Sequence, residues 1–178
     1  MGLLALAMLS AQPQGAAGAN DAAWSWRENR DAAAGPRYAS VTARSAEGDR
    51  LLVRCDLSDD PVISVQYLPR RTPGSAVDKP VTVIPDQGAP LVANWEFPGP
   101  GALMRGSQTF DIVRGIAGAR ELRVMTTNAD GEPIGAIFAG GNGDAPFRRV
   151  YAACGLPYAP PAPVVPAAPT TPSASKPK

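Results

Sequence analysis

The chain has 178 residues, enough for one domain with a hydrophobic core and too few for two ordinary ones once its unusual ends are set aside. Lys and Arg number 17 against 16 Asp and Glu, so there is no electrostatic footprint for nucleic acid or for an anionic membrane surface. Histidine is absent, which removes the commonest general base and the usual zinc ligand, and with them His-dependent triads and most catalytic zinc sites.

The first nineteen residues carry no charged side chain; an apolar block, Leu3 to Leu9, gives way to Ser10, Gln12 and Pro13 and then to Ala17-Gly18-Ala19. That block is too short to span a bilayer, and the small residues after it match a secretory cleavage pattern. Residues 1–19 are therefore expected to be a signal peptide, with Asn20 as the mature start, no transmembrane segment after cleavage and a periplasmic or secreted location. No cysteine lies in or just after the signal to take a lipid anchor.

An exported chain with two cysteines has one intramolecular connectivity, so Cys55 and Cys154 are expected to pair. Closing a loop of about 100 residues restricts the unfolded chain by roughly 4 to 5 kcal/mol on the chain-entropy argument, a large share of a domain's net stability. The bond is read as structural, because a redox-active cysteine would call for a Cys-x-x-Cys spacing that is missing.

Between the ends, short runs of strand-forming residues are punctuated by Gly, Pro and Asp. Trp24 and Trp26 sit two apart and share one face if extended, as a first strand or a cover over the sheet. Tyr38 to Arg44 and Arg50 to Asp56 flank Ser45-Ala46-Glu47-Gly48-Asp49 as a hairpin. Val62 to Leu68 alternates with period 2, which predicts a strand with Val62, Ser64 and Gln66 on a wet face. Val81 to Ile84 and Leu91 to Phe97 follow across the turn Pro85-Asp86-Gln87-Gly88.

From Ser107 the period changes. Phe110, Val113, Ile116 and Ala117 predict a short helix near 108–117, ended by Gly118. Glu121 to Thr127 and Ile134 to Ala139 then form a hairpin across Asn128-Ala129-Asp130-Gly131. Phe147, Val150, Tyr151 and Cys154 predict a final helix near 145–154, with Asp144 as its cap, Pro146 in its first turn and Gly155 as its stop. Beyond residue 158 the composition turns to Ala, Pro, Val, Thr and Ser, in which no core can be built, so residues 159–178 are expected to be a semi-extended, disordered tail. The fold class expected is mainly β (α+β): an antiparallel sandwich or barrel-like sheet over residues 20–158, with the C-terminal helix stapled to it by the disulfide.

The early tryptophan, the strand Leu51-Leu52-Val53-Arg54-Cys55-Asp56, the alternating strand after it, the helix before Glu121-Leu122-Arg123-Val124, and Phe147 to Gly155 with Cys154 together resemble small disulfide-bonded periplasmic β-sandwich proteins of bacteria. Two groups share this pattern over about residues 50–155: the invasion-associated locus B proteins and the VasI/TagO-type accessory proteins of type VI secretion. The resemblance implies a non-enzymatic envelope protein and brings no catalytic residue with it.

Candidate chemistry is sparse, and each case has a structural counterpart. Asp56, Asp59 and Asp60 form an acidic loop of the kind that binds calcium, but without EF-hand spacing, so an ordinary turn serves as well and no metal or cofactor is assigned. Gly140-Gly141-Asn142-Gly143 ahead of the last helix offers backbone amides to an anion, or is merely a connector. Glu96 and Asp86 are the one suggestive carboxylate pair for glycoside cleavage. Trp24 and Trp26 form a recognition surface or are core. The arginine pairs Arg70-Arg71 and Arg148-Arg149 read as solvated surface.

Two functional classes follow, with a third beside them. The first is a non-enzymatic binding or accessory protein that engages another envelope protein through strand edges or loops. The second is an envelope hydrolase acting on cell-wall glycan through Glu96 and Asp86. The third is a hydrolase inhibitor that inserts a loop such as Pro69 to Pro80.

Overall fold

The computed structural model describes residues 23–74, 76–86 and 88–159; the expected signal peptide and nearly all of the Ala/Pro-rich tail lie outside them. Nine strands and two helices alternate along the chain: β1 (Ser25–Asn29), β2 (Tyr38–Arg44), β3 (Arg50–Asp56), β4 (Val62–Leu68), β5 (Ala76–Pro85), β6 (Leu91–Phe97), β7 (Ala102–Arg105), α1 (Thr109–Gly118), β8 (Glu121–Thr127), β9 (Pro133–Ala139) and α2 (Ala145–Ala153). The strands form one antiparallel sheet in the order β1-β2-β3-β4-β7-β6-β5-β8-β9.

That sheet folds over on itself. Tyr67 of β4 and Phe138 of β9 are separated by four strands in the sheet order, yet their rings meet edge to face at 6.1 Å. The fold line runs between β6 and β7, where a single register pair, Glu96 with Leu103, joins the two wings. The expected mainly-β, sandwich-like class with a short helix and a stapled C-terminal helix is what the chain forms.

Period-2 patterning supplies the interior. Ala39, Val41 and Ala43 of β2 and Leu51, Val53 and Cys55 of β3 point inward, facing Val81, Val83, Leu122, Val124 and Phe138 from the other wing, all within one buried cluster. The small side chains of β2 leave room for α2, which packs over β2 and β3, while α1 lies against β4 and β5. Phe147 at the start of α2 is fully buried and meets the ring of Trp24 at 5.0 Å and 69°. At the other end of the helix Cys154 is bonded to Cys55, with 5.8 Å between their Cα atoms. Among the described residues no helix is long and apolar enough to cross a membrane.

Four local expectations need correction. The outward face of β4 is not wet at Ser64, which is completely buried because its neighbours in register are Arg54 and Arg105, whose long stems cover so small a side chain. β7 escapes the periodicity argument: four residues just after Pro98-Gly99-Pro100-Gly101 are too short to show a period. β5 starts at Ala76, so the segment from Pro69 to Pro80 is no free loop. Its Lys79 donates to the carbonyls of Pro73, at 2.5 Å, and Thr127, at 3.3 Å, which ties it to the β8–β9 hairpin. Finally, Asp144 does not cap α2 with its side chain; its carboxylate accepts instead from the Tyr158 hydroxyl at 3.1 Å and from Arg148 at 3.2 Å.

Tyr158 extends the folded region to the last residues before the tail. Its ring meets Phe110 at 5.3 Å and Tyr151 at 5.1 Å, so α1, α2 and the chain end close on one aromatic trio. Burial pushes the Tyr151 hydroxyl up to about 12.

The disulfide closes a loop of 99 residues. The double variant Cys55→Ala, Cys154→Ala is expected to lose about 2 to 5 kcal/mol of unfolding free energy, read as a lower urea midpoint with a steeper slope, because the unfolded chain without the cross-link exposes more surface. An unchanged midpoint would show that packing alone holds α2.

Candidate functional site

The side chains singled out from the sequence go to several places, and most are occupied by structural work. Asp86 stands at φ 50°, in the left-handed region that aspartate tolerates better than most residues, and its carboxylate accepts from the backbone N–H groups of Arg120 at 2.9 Å and Glu121 at 3.0 Å. These two bonds hold the carboxyl below the ordinary 3.8, and they pin the β5–β6 turn to the start of β8. Glu96 lies at the opposite end of the β5–β6 hairpin, near the level of Lys79, and is paired with Arg105 at 2.7 Å. About seven strand residues, on the order of 20 Å, separate the two acids, whereas glycoside cleavage needs carboxylates within about 5 to 9.5 Å. The pair does not form a hydrolase site.

Asp56 accepts from Arg54 at 2.7 Å, while Asp59 and Asp60 are exposed on the turn. Among the described residues no three acidic or cysteine side chains gather at one point. The glycine-rich segment is not an anion cradle either. Its four successive N–H groups are all spent: Gly140 donates to Arg120, Gly141 to Ile116, Asn142 to Ala119 and Gly143 to Ala117, at 2.7 to 3.3 Å. They satisfy carbonyls at the C-terminal end of α1 that the helix itself leaves open. Glycine is needed for closeness: a Cβ on Gly141 would stand 2.8 Å from the Ala117 Cα and 2.5 Å from the Phe147 ring.

Trp24 and Trp26 do share one side. Trp24 is buried against Phe147, and the guanidinium of Arg149 lies 3.9 Å above the ring of Trp26. Together with Asn142 and Pro146 they line a cleft of about 400 Å³. Arg149, which reads in the sequence as plain solvated surface, is thus part of this wall; the signal that could have found it is its i, i+4 relation to Ala145 and i, i+3 relation to Pro146 on a short helix beside two tryptophans.

A second surface was invisible to local patterning. Among the described residues β9 pairs only with β8 and ends the sheet, with β2 lying alongside it. Gly140 N–H bonds to Arg120 and Asn128 N–H to Glu132, which fixes the parity of the β8–β9 ladder. Because hydrogen-bonded and non-bonded pairs alternate in an antiparallel ladder, even-numbered residues of β9 face β8. Gly135, Ile137 and Ala139 therefore turn N–H and C=O toward the open edge. The strand Pro-Ile-Gly-Ala-Ile-Phe-Ala carries no charge and no bulge over seven register pairs, whereas the opposite edge, β1, carries Arg27 and Glu28.

Apolar side chains are exposed near this edge, beside the charged Glu121 and Arg123 on the same outward face of β8. Ile137 is 48% exposed, Met125 38% and Val92 59%, and Val92, Thr82, Met125 and Gly135 form one outward row across four strands. A cleft of about 570 Å³ runs along five consecutive residues, Pro133 to Ile137, bounded by Ala46 and Glu47 of the β2–β3 turn. Its neighbourhood includes Arg123, Arg70 and Arg71; among the described residues Arg71 and Arg123 have no ion-pair partner.

No protein-family model matches this chain, and no curated protein matches it. Among solved structures, the crystal structure of invasion associated protein b from Bartonella henselae is similar, with a TM-score of 0.46 and 19% identity, covering 74% of this chain and 93% of that one.

Two substitutions check the structural assignments. Asp86 has its carboxyl lowered by folding, so its contribution is complete above 3.8 and is lost as the pH falls through the lower folded value. The difference in Tm between the parent and Asp86→Asn is therefore expected to be constant between about pH 5 and 7 and to shrink below 3.8; a pH-independent difference would assign the effect to backbone geometry. Gly141→Ala is expected to cost about 1 to 3 kcal/mol in urea unfolding, because the Ala117 backbone cannot retreat.

Proposed function

We propose that this protein is an extracytoplasmic accessory module that takes up an extended segment of another envelope protein along the open edge of β9. The single observation that carries this reading is the character of that edge. Natural sheets blunt free edges with lysine, proline, bulges or covering loops, since an apolar, unbroken one templates pairing with another chain. β9 has only Pro133 at its first position, and it is flanked by a cleft and by exposed apolar side chains. Strand addition supplies affinity through main-chain hydrogen bonds and specificity through alternate side-chain pockets. Positive charge at Arg71 and Arg123 favours a guest strand in which apolar residues alternate with acidic ones. The disulfide supports an oxidising compartment, because such bonds persist outside the cytosol.

The test places a photo-crosslinking residue at Ile137 on β9 and, as a control, at Arg27 on β1, in protein expressed in its own envelope. One discrete adduct with another protein from position 137, and none from position 27, is expected. The further change Ala139→Pro should abolish it. Proline there removes an edge donor without removing a ladder bond, so Tm should fall by no more than about 5 °C. Equal labelling at both edges, adducts unaffected by Ala139→Pro, or an adduct consisting of two copies of this chain would each replace the reading.

A further inference from the structure

The cleft beside the two tryptophans is a separate surface from the β9 edge, and its chemistry is one-sided. Ala23, Trp24, Val41, Ala145 and Pro146 give it an apolar wall, and among the described residues no acidic side chain lines it. What it offers a ligand are donors. The Arg149 guanidinium is laid flat over Trp26 at 3.9 Å and has no ion-pair partner among the described residues. The indole nitrogen of Trp24 is closed to solvent and, like that of Trp95, has no hydrogen-bond partner among the described residues, so the Arg149 guanidinium is the donor that the cleft presents. The neighbouring amides of Gly141 to Gly143 are spent on α1 and cannot contribute, which leaves recognition to side chains.

We propose that this cleft binds a small carboxylate-bearing ligand with a short apolar body. The carboxylate is taken by Arg149 in the two-pronged manner that a planar, pre-stacked guanidinium allows. The apolar body lies along Trp24, Val41, Ala145 and Pro146. About 400 Å³ suits a molecule the size of a dipeptide or a single sugar acid, at the small end of ligand pockets. Arg149 is the anchoring group, and Trp26 is a positioning residue that holds it flat.

The experiment follows the three indole N–H resonances of the full chain by NMR during titration with N-acetyl-alanyl-alanine, with its C-terminal amide and with glucuronate. Trp95, which is completely buried away from the cleft, reports on the fold. Saturable shifts of the Trp24 and Trp26 resonances with a free acid, a fixed Trp95 resonance and no response to the amide are expected. Comparison of the dipeptide acid with glucuronate then assigns the carboxylate to a peptide end or to a sugar acid. Arg149→Lys should weaken binding by roughly tenfold, since charge remains but the planar fork is lost. Equal response to acid and amide, an unweakened Arg149→Ala variant with an unchanged Trp95 resonance, or no shift with any acid at concentrations of tens of millimolar would overturn the proposal.

Discussion

The structure depends on how α2 is fixed across β2 and β3. The helix is nine residues long, too short to persist alone in water, and it is held at both ends: Phe147 is buried beneath Trp24, and Cys154 is covalently joined to Cys55. Three other features follow from that fixation. The alanines of β2 have a partner for their inner face. The segment from Gly140 to Gly143, drawn tight between β9 and α2, reaches the carbonyls of α1 and ends that helix. And Tyr158 finds Phe110 and Tyr151 together, so that the last turn of the domain is closed by contacts from both helices.

The two surfaces argued for function arise from the same economy of polar groups. Where a donor or acceptor has a partner inside the fold, as in Asp86 with the N–H groups of Arg120 and Glu121, the residue is explained and needs no ligand. The open-edge groups of Gly135, Ile137 and Ala139 and the Arg149 guanidinium are among the exposed groups for which the described residues supply no partner. Neither place contains a nucleophile beside a base, and both are suited to holding something still.

Much of this architecture could be read from the chain before any coordinates. The strands Tyr38–Arg44, Arg50–Asp56 and Val62–Leu68 match in both boundaries, because alternation of apolar residues reports directly on which face is buried. Both helices follow from i, i+3, i+4 spacing. What local pattern cannot carry is neighbourhood. Ser64 is dry because of arginines on two other strands, and Asp144 turns from capping to Tyr158 because the chain end returns there. The glycine run looked like an anion loop because its competing acceptors, on α1, lie more than twenty residues earlier in the chain. The identity of the edge strand depends on sheet order, which no window of sequence encodes; Trp24 and Trp26 stand out in the sequence, whereas Arg149 reads there as solvated surface, since its meaning comes from what it lies upon.

The position of Cys154 also sets a timetable. It comes only four residues before Tyr158, the final aromatic anchor, while its partner comes in the third strand. A polypeptide emerges from a ribosome or a translocation pore amino end first, so Cys55 is presented to oxidants long before Cys154 exists outside. In the meantime its thiol is available only to wrong partners, such as a second molecule or a small disulfide. The bond can therefore close only once nearly all of the folded region has been made.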